Sequence, residues 1–334
     1  LSIIVEWANV TPSSAKRCQC LLWALRLQVT EYLAEVHAVA IQRPVEILIM
    51  YDERSTSPAN LAAQLIPLYQ LFPMILTVRP VAAGTCAYYL QKNIGVQHSR
   101  GTINIFVDSD VIPDVGWLEQ ILAPFASPRV QVVSGHTYVE PTGVLGKAFA
   151  LCWFHPKREP GPAAPEPCSH LFANNLAMRR SATAGPPFQR LQGDVRGSCA
   201  VLAAELKHNG VEILRSPGAG ASHTSPETLV ELIVRALAHG RDLVILSRHL
   251  QQYGTSVGQV QNHRWRWLTS IIRIPTAVSR RFRLVDTSVS ELPIILAICA
   301  LYYGVVMLGA LATALYPERM LRWIKMPGQP EYLG

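Results

Sequence analysis

The sequence predicts an α/β fold in which a mainly parallel sheet is flanked by helices. Short apolar stretches typical of strands alternate with longer stretches of helical periodicity across residues 2–110. Two of the strand-like stretches end abruptly in acidic residues. A third observation lies outside this alternation: residues 292–316 form one uncharged apolar segment that is long enough to cross a bilayer.

The elements of the first half come in the order that a wound parallel sheet requires. We expect strands at 2–7, 45–51, 74–79 and 103–110, and helices at 15–36, 58–71 and 87–99. Strands separated by helices of this length indicate right-handed crossover connections between parallel neighbours. In such sheets ligands bind beyond the carboxyl ends of the strands, so the site is expected at that edge.

The second half contains a further run of predicted elements. We expect a strand at 130–141, a proline-rich segment at 157–170, a helix at 191–210 and a strand at 211–217. The proline-rich segment is interpreted as a mobile surface loop over the site, because structured sequence resumes directly after it. Gly193 and Asp194 stand at the start of the helix and Gly210 at its end. Ser225 and Pro226 are expected to open another helix.

Two acids end the fourth predicted strand, where packing alone gives no reason for them. Asp108 and Asp110 are two residues apart, so their side chains share one face of an extended chain. Like charges held this close repel, and the arrangement becomes tolerable when a cation or a set of donors lies between them. Asp52 ends the second strand and is expected at the same edge. The alternative is a capped turn in which aspartate accepts backbone hydrogen bonds.

Composition and the apolar segment indicate contact with a membrane. Hydrophobic residues make up 49% of the chain and charged residues only 16%, while the net charge of +7 favours anionic partners. Basic and aromatic residues gather at 263–285, a composition that suits the headgroup layer. The positive-inside rule then places the large domain on the cytoplasmic face. No nucleic-acid partner is expected, because these basic residues do not lie on a base-reading motif.

The order of these pieces resembles the family 2 glycosyltransferases, whose nucleotide-sugar domain has the GT-A fold. The resemblance rests on SIIVEWAN, VEILIMYDERS, QKNIGVQHSRGTINIFVDSDVIPDVGWLEQIL, NNLAMRRS and GDVRGSCAVLAAELKHNG, in that order. It covers residues 1–245, which are interpreted as the glycosyltransferase domain. An amphipathic membrane-interface segment follows at 246–290, then a transmembrane helix at 291–316 and a basic tail at 317–334. The alternatives for the apolar segment are a buried helix under a soluble domain and a re-entrant hairpin.

The resemblance implies a metal-dependent donor site at the strand ends. Asp108, Ser109 and Asp110 look like the family's D-x-D motif, which implies that Asp108 contacts the nucleotide sugar or the metal and that Asp110 binds Mg²⁺ or Mn²⁺. Carboxylate oxygens are the hard ligands that these cations prefer. His223 is similar to a histidine that completes the metal shell in some relatives, and its alternative is a purely structural histidine.

Three further residues are implied as contacts of the nucleotide sugar. Asp52 resembles the acid after the second strand that hydrogen-bonds the base or the ribose. Glu6 stands where the family often has proline, and Lys92 stands where a basic residue commonly reaches the donor. For Glu6 and Lys92 the alternative is a solvated surface side chain.

Asp194 resembles the family's general base. An inverting transfer needs a carboxylate that takes the proton of the acceptor hydroxyl while the anomeric carbon is attacked from the opposite side. The family's usual Glu-Asp pair is Gly193 and Asp194 here, and the alternative for Asp194 is a helix N-cap. Arg196 is expected on the acceptor side of the same segment.

The stretch QNHRW matches the Q-x-x-R-W motif of processive polysaccharide synthases. Gln261, Arg264 and Trp265 are therefore assigned to the acceptor and membrane side. Gln261 lies 67 positions after Asp194, a longer separation than that subgroup leads one to expect. Anchoring of the arginine and the tryptophan at the membrane interface is the favoured interpretation.

Together, these features predict an inverting, metal-dependent glycosyltransferase. The predicted enzyme moves a sugar from a nucleotide-sugar donor to a lipid-linked or glycan acceptor close to a membrane. Two alternatives remain: a processive polysaccharide synthase that uses QNHRW, and a degenerate scaffold that binds a nucleotide without turning it over.

Overall fold

The structure is a computed structural model of the 334-residue chain. It describes residues 1–7, 15–38, 45–69, 76–85, 87–152, 164–191, 195–253, 278 and 282–324.

The described strands form one mixed sheet. They are β1 (Ser2–Glu6), β2 (Val45–Tyr51), β3 (Leu76–Ala82), β4 (Ile103–Asp108), β5 (Ile112–Pro113), β6 (Val132–Val139), β7 (Glu166–Cys168), β8 (Asn175–Arg179) and β9 (Ile213–His223). Their order is β3-β2-β1-β4-β8-β6-β9-β5, and β7 pairs with β9. Strands β1 to β4 are parallel, β8 is antiparallel to β4 and β6, and β6 is parallel to β9. The carboxyl ends of β1, β2, β4, β6 and β9 therefore lie at one edge.

Helices cover the sheet and extend the fold beyond it. They are α1 (Ala15–Ala38), α2 (Pro58–Gln64), α3 (Ile66–Tyr69), α4 (Tyr88–His98), α5 (Trp117–Leu122), α6 (Gly143–Cys152), α7 (Ser198–His208), α8 (Leu229–Leu250), α9 (Leu292–Leu315) and α10 (Pro317–Trp323). The predicted fold class, a mainly parallel sheet with flanking helices, is confirmed. The single helix predicted at 58–71 is two short helices instead, because Pro67 lacks the N–H group that a continuing helix would need.

The helix predicted at 191–210 is shorter than expected at its start. α7 begins only at Ser198, and residues 192–194 lie outside the described part of the chain. Its end matches the prediction, since Gly210 adopts a φ of +73°, a left-handed conformation that glycine tolerates without a steric penalty.

The strand predicted at 211–217, in contrast, is longer than expected. β9 continues to His223, so this histidine stands at the end of a strand. The helix that Pro226 was expected to open begins at Leu229, where the Thr228 side chain accepts a hydrogen bond from a first-turn N–H. The strand therefore brings His223 to the carboxyl edge of the sheet.

The proline-rich segment is only partly described, and that part differs from the expectation. Residues 164–170 contain β7, in which Cys168 pairs with Ile213 at the start of β9. This is the end of β9 away from His223. The prediction that the segment lies over the site is therefore wrong for residues 164–170.

Alternating side chains of the central strands build a core on each face of the sheet. Ile3 and Val5 of β1 are buried together with Leu22 of α1 on one face. Ile4, between them in sequence, is buried with Phe106 on the other face. This alternation explains why the middle of each central strand is a continuous apolar run, as in strands covered on both faces.

A third buried cluster joins α6, α8 and α9 at the side of the sheet. A Cβ atom placed on Gly240 of α8 would lie 2.1 Å from the carbonyl oxygen of Val306. A Cβ atom placed on Gly309 of α9 would lie 2.5 Å from the carbonyl oxygen of Leu237. The backbones of α8 and α9 are therefore in contact, so α9 is an integral part of the fold. In the described residues the stretch Val289–Leu315, which contains α9, is long and apolar enough to cross a membrane.

Candidate active site

Two carboxylates and one imidazole meet at the carboxyl edge of the sheet. One ligand atom from each of Asp108, Asp110 and His223 lies within 4.8 Å of the other two, and all three residues are buried. The topology produces this meeting: β4 ends at Asp108, and β5 then pairs with β9 so that Ile112 lies opposite Ser222. Asp110 therefore lies next to the end of β9, and its Oδ2 is 3.6 Å from Nε2 of His223.

This cluster fits a divalent cation. Oδ1 of Asp110 is buried and has no hydrogen-bond partner among the described residues, although a buried acceptor without a partner is costly. Nδ1 of His223 is 2.8 Å from the carbonyl oxygen of Thr224. A histidine that donates through Nδ1 keeps the Nε2 lone pair for a metal. Carboxylate oxygens and an imidazole nitrogen of this kind suit Mn²⁺, and the carboxylates suit Mg²⁺.

The charge of Asp108 is balanced by the protein itself. Nζ of Lys92 donates to its Oδ1 over 2.6 Å, and the Tyr88 hydroxyl lies 2.9 Å from both carboxylate oxygens. The Lys92 side chain is completely buried, so the alternative of a solvated lysine is wrong. Removing one partner from such a buried pair typically costs about 3–5 kcal/mol. Lys92 and Tyr88 are thus donors that stabilise Asp108 within the protein, and a cation shared by Asp108 and Asp110 stays a prediction.

A third carboxyl group, that of Glu6, lies beside Asp108. Glu6 is opposite Asp108 in the register of β1 and β4, and it is fully buried, which excludes the solvated alternative. Burial, and then the neighbouring charge of Asp108, raises the pKa of Glu6 to about 8. At neutral pH this carboxyl group is therefore mostly protonated, which relieves the repulsion between the two neighbouring strands.

Asp52 lies just past β2 and is held by its own neighbour. The Arg54 guanidinium donates to both carboxylate oxygens of Asp52, from Nε over 3.0 Å and from Nη2 over 2.8 Å. These hydrogen bonds lower the pKa of Asp52, which is buried, whereas about two thirds of the Arg54 side chain is exposed. Asp52 is thus an ionised acceptor at the same edge of the sheet as the metal-ligand cluster.

Arg196 faces the acidic cluster from the segment before α7. Its guanidinium lies 5.2 Å from the ring centre of Tyr88. Burial alone would lower the pKa of Arg196, but the Tyr88 hydroxyl and the carboxyl groups around it, Asp108 first, raise it above the ordinary value. The backbone N–H of Arg196 donates to Oδ2 of Asp242 on α8 over 3.2 Å. Burial raises the pKa of Asp242 to about 6.

The remaining predicted site residues lie outside the described part of the chain. They are Asp194, Gln261, Arg264 and Trp265. Of the described residues that follow Asp194, Val195 is buried with Ile245 of α8, and the backbone N–H of Arg196 donates to Asp242 of the same helix.

Arg17 is a residue of the site that sequence reasoning missed. From the first turn of α1, its Nε donates to the carbonyl oxygen of Asp110 over 2.5 Å. Its Nη2 donates to the carbonyl oxygen and the hydroxyl of Ser222, over 2.6 and 2.8 Å. Arg17 thereby joins the turn that carries Asp110 to the strand end that carries His223. A signal existed: Lys16 and Arg17 begin a helix without an acid in its first turn, where cations oppose the helix dipole.

A cavity of about 590 Å³ lies elsewhere in the molecule. It is lined by Cys168, His170, Lys207 and Arg215, among others, at the start of β9. β6 pairs with β9 from Val132 opposite Ile213 to Val139 opposite His223, and these seven residues at about 3.3 Å each separate the cavity from His223 by roughly 23 Å. We assign the functional site to the carboxyl edge, because the cation ligands converge there.

Comparison with known proteins agrees with this geometry. Residues 30–184 match the family model described as glycosyl transferase family 2. No curated protein sequence matches the chain.

Solved structures resemble the chain at low sequence identity. The mannosyltransferase PcManGT from Pyrobaculum calidifontis, in complex with GDP-Man and Mn²⁺, has a TM-score of 0.52 at 12% identity, over 95% of this chain and 87% of that one. S. aureus TarS 1-349 has a TM-score of 0.43 at 14% identity, over 94% and 91% of the two chains. GalNAc-T7 with UDP, GalNAc and Mn²⁺ has a TM-score of 0.43 at 13% identity, over 68% and 43%.

The family match and the fold lead to the same conclusion. The matched residues 30–184 include the acidic pair at the end of β4 and the strands β2, β3, β6 and β8 around it. The likeness to the Pyrobaculum structure concerns the fold alone. Residues 30–184, somewhat less than half of the chain, match the model of glycosyl transferase family 2, and the protein has the GT-A fold of glycosyltransferases.

Proposed function

We propose that the protein is an inverting, metal-dependent glycosyltransferase that uses a nucleotide-sugar donor and a lipid-linked or glycan acceptor close to a membrane. The observation that carries the proposal is the cluster of Asp108, Asp110 and His223, with its buried carboxylate oxygen that lacks a partner. The Pyrobaculum mannosyltransferase, which shares the fold, was solved with GDP-Man and Mn²⁺, and this supports a nucleotide sugar as donor.

In this proposal, the residues of the cluster divide the work of binding the donor. Asp110 and His223 hold Mg²⁺ or Mn²⁺, with Asp108 beside them. The bound cation would compensate the negative charge that builds on the leaving nucleoside diphosphate. Lys92 and Tyr88 keep Asp108 in a fixed orientation through the contacts described above. The protonated Glu6 can donate a hydrogen bond to a phosphate or sugar oxygen, which an ionised carboxylate cannot do.

The other predicted residues are proposed to serve the nucleoside and the acceptor. Asp52 accepts hydrogen bonds from the base or the ribose, and Arg54 keeps it ionised. Asp194 takes the proton of the acceptor hydroxyl as the general base. Arg196 adds positive charge to the same side. Gln261, Arg264 and Trp265 are proposed to lie on the acceptor and membrane side.

The proposed domain organisation keeps the divisions that the sequence suggested. Residues 1–245 form the glycosyltransferase domain on the cytoplasmic face of a membrane, and 246–290, 291–316 and 317–334 attach it there. The support is the long apolar helix near the C-terminal end. In the structure α8 runs through position 245, so the first boundary is a division of function within one fold.

Two substitutions separate the proposed roles of Asp110 and Asp194. In Asp110→Asn we expect Mn²⁺ affinity to fall by at least about 10–100-fold, and sugar transfer to fall with it. In Asp194→Asn we expect Mn²⁺ and donor binding to persist while kcat falls by about 10²–10⁴-fold. The exposed Glu119→Gln on α5 is the matched control and should change neither quantity.

The measurements are Mn²⁺ titration and transfer from a donor identified by thermal shift. A panel of nucleoside diphosphate sugars, each with and without Mn²⁺, selects the donor, because a ligand that binds only the folded state raises its apparent stability. Undiminished transfer in both aspartate variants would refute the proposal. Metal-dependent donor binding without any transfer would identify the protein as a non-catalytic scaffold instead.

A further inference from the structure

Helix α9 has two apolar faces with different surroundings. Its buried residues recur every three or four positions: Ile295, Cys299, Tyr302, Val306, Gly309 and Thr313. Its exposed stripe consists of Ile294, Leu301, Leu308, Leu311 and Leu315, which are seven, seven, three and four positions apart and each between 41% and 62% exposed. From Ile294 to Leu315 the stripe is about 32 Å long at 1.5 Å per residue. Isolated exposed leucines need no explanation, but a continuous apolar stripe of this length marks an interaction surface.

The protein covers the buried face of α9 along the middle of the helix. Nδ1 of His239 on α8 is 3.1 Å from the hydroxyl of Tyr302. Gly240 contacts the backbone at Val306. The next residue, Arg241, is fully buried and paired with Asp242 over 2.7 Å. Charged residues of α8 are therefore packed beside the centre of α9.

This packing argues against α9 crossing a bilayer. A crossing helix lies in hydrocarbon over about 30 Å, and whatever packs along its middle enters the hydrocarbon with it. Here that would carry the buried Arg241–Asp242 pair, which directly follows Gly240, into the hydrocarbon. Charged side chains are strongly disfavoured at that depth. A helix that lies in the plane of the interface meets no such conflict, because only its outer face enters the lipid.

The ends of the stripe carry the residues that a lipid headgroup layer attracts. Beyond the C-terminal end, Arg319 and Arg322 are exposed, together with Tyr316 and Trp323, which are 57% and 74% exposed. Before the N-terminal end, Arg283 is exposed. Arginine binds lipid phosphates, and tryptophan and tyrosine prefer the headgroup level. At the C-terminal end Arg319 and Arg322 outnumber the one acid, Glu318, which pairs with Arg322, so this end carries a net positive charge that favours an anionic lipid surface.

We propose that α9 docks flat on an anionic membrane surface, with the stripe from Ile294 to Leu315 immersed in the outer acyl region, and that it does not span the bilayer. The inference rests on the proposed membrane attachment and is independent of the metal and transfer chemistry. It replaces the transmembrane arrangement of residues 291–316 with an in-plane arrangement.

The depth of single positions tests the proposal. Cysteine is introduced at Ile294, Leu301, Leu308 and Leu315 in a Cys20→Ser protein and labelled with an environment-sensitive dye. The protein is then bound to vesicles of phosphatidylcholine and phosphatidylglycerol whose lipids carry bromine either near the headgroup or near the chain end. Dye at the exposed Glu119→Cys on the catalytic domain is the matched control, and the Cys20→Ser protein without an added cysteine gives the background.

Each possible quenching profile distinguishes the in-plane arrangement of α9 from the spanning arrangement. An in-plane helix gives similar quenching by shallow bromine at all four positions and little by deep bromine. A spanning helix gives strong deep quenching at Leu301 and Leu308 and shallow quenching at the two end positions, which overturns the proposal. Absence of quenching by either lipid also overturns it and indicates that the stripe is covered by protein. The same profile is measured in Asp110→Asn, where failure of sugar transfer leaves the depth result intact.

The exposed arginines beyond the C-terminal end of the stripe, Arg319 and Arg322, provide a second test. Replacing Arg319 and Arg322 together with Gln should weaken binding to vesicles that contain phosphatidylglycerol by roughly fivefold for each arginine, while binding to pure phosphatidylcholine changes little. Arg129→Gln, at an exposed arginine of the catalytic domain, is the matched control. Equal binding of the double variant and the parent protein to anionic vesicles would contradict docking on the lipid charge.

Discussion

At the scale of single residues, the candidate site separates its charges by burial and by pairing. Lys92 neutralises Asp108, and burial keeps a proton on Glu6 up to a pH of about 8. Asp110 is left with a buried oxygen that has no partner among the described residues. The site is thus arranged so that one carboxylate, supported by His223, offers the strongest attraction to an added cation.

Arg17 is expected to act as a positioning residue for that cation. In Arg17→Met the hydrogen bonds to the Asp110 carbonyl and to Ser222 are lost, so the two ligand-bearing segments can separate. We expect Mn²⁺ affinity to fall by about 10–100-fold, the range typical of lost supporting contacts around a metal site. Lys16→Met, at an exposed neighbour in the same helical turn, should leave the affinity unchanged.

The readout for Arg17 is Mn²⁺ titration beside a urea unfolding curve. A purely structural role would lower the unfolding midpoint and leave the affinity of the folded protein intact. Equal affinities of the Arg17→Met variant and the parent protein would therefore contradict the positioning role.

The acidic pair could be predicted from sequence and Arg17 could not, for a physical reason. Asp108 and Asp110 are two positions apart at the end of an apolar run, so the pattern is local. Arg17 meets Asp110 across 93 positions and Ser222 across 205, contacts that depend on the packing of α1 against the completed sheet. The burial of Lys92 and Glu6 also depends on the complete fold, and the solvated alternatives for both were wrong.

At the scale of elements, α8 connects the glycosyltransferase site to α9. One side of α8 holds the backbone of Arg196 through Asp242, and the other side contacts the backbone of α9 at Gly240. Arg241 also donates a hydrogen bond to the carbonyl oxygen of Ile324, just beyond α10. The middle of α8 is therefore packed against both neighbouring parts of the fold.

Gly240→Ala is expected to separate α8 from α9. The added methyl group would overlap the Val306 carbonyl, and overpacking of this kind typically costs about 1–3 kcal/mol. Gly304→Ala is the matched control, because nothing lies within 4 Å of an added Cβ there and alanine favours helix by up to about 1 kcal/mol. The free energy of unfolding in urea gives both values, and a Gly240→Ala protein as stable as the parent would exclude the close contact.

The sequence predicted the extent of α9 closely, at 292–316 against the observed Leu292–Leu315. The apolar run gives that length, and the capping box of Ser288 and Glu291 before it and Pro317 after it mark its ends. The composition did not reveal which side is covered, because apolar residues occur all around the helix and the covering helix α8 carries charged residues of its own. Periodicity can assign a face only where polar and apolar positions alternate.

At the scale of the whole molecule, the apolar helix and the catalytic sheet share one fold. Phe149 of α6 and Leu232 of α8 are buried in the same cluster as Tyr302 and Val306 of α9. A detachable membrane anchor would leave the domain intact when removed. In this protein, removing α9 would expose the buried side chains of α6 and α8 that pack against it.

Ending the chain after Tyr253 should therefore produce an aggregation-prone protein. The truncation exposes Phe149, Leu232 and neighbouring apolar side chains, and a large exposed apolar patch promotes association. We expect a lower soluble yield and stronger binding of a hydrophobic dye than in a chain that ends after Ile324, which retains α9 and α10 and serves as the control. A soluble, monodisperse shorter chain with unchanged dye binding would contradict the shared core.

The contact of Gly240 with α9 has a mechanical consequence for the enzyme. A series of short buried contacts leads from α9 through Gly240 of α8 to Asp242 and Arg196. Tightly packed protein interiors have low compressibility and therefore transmit displacements. If α9 docks on lipid as proposed, a change in its tilt would be transmitted through α8 to the segment of Arg196 at the candidate site. We expect the turnover number at saturating substrate to differ between vesicles of tightly packed lipid and vesicles of loosely packed lipid. The packing of the bilayer would then influence the rate of the reaction.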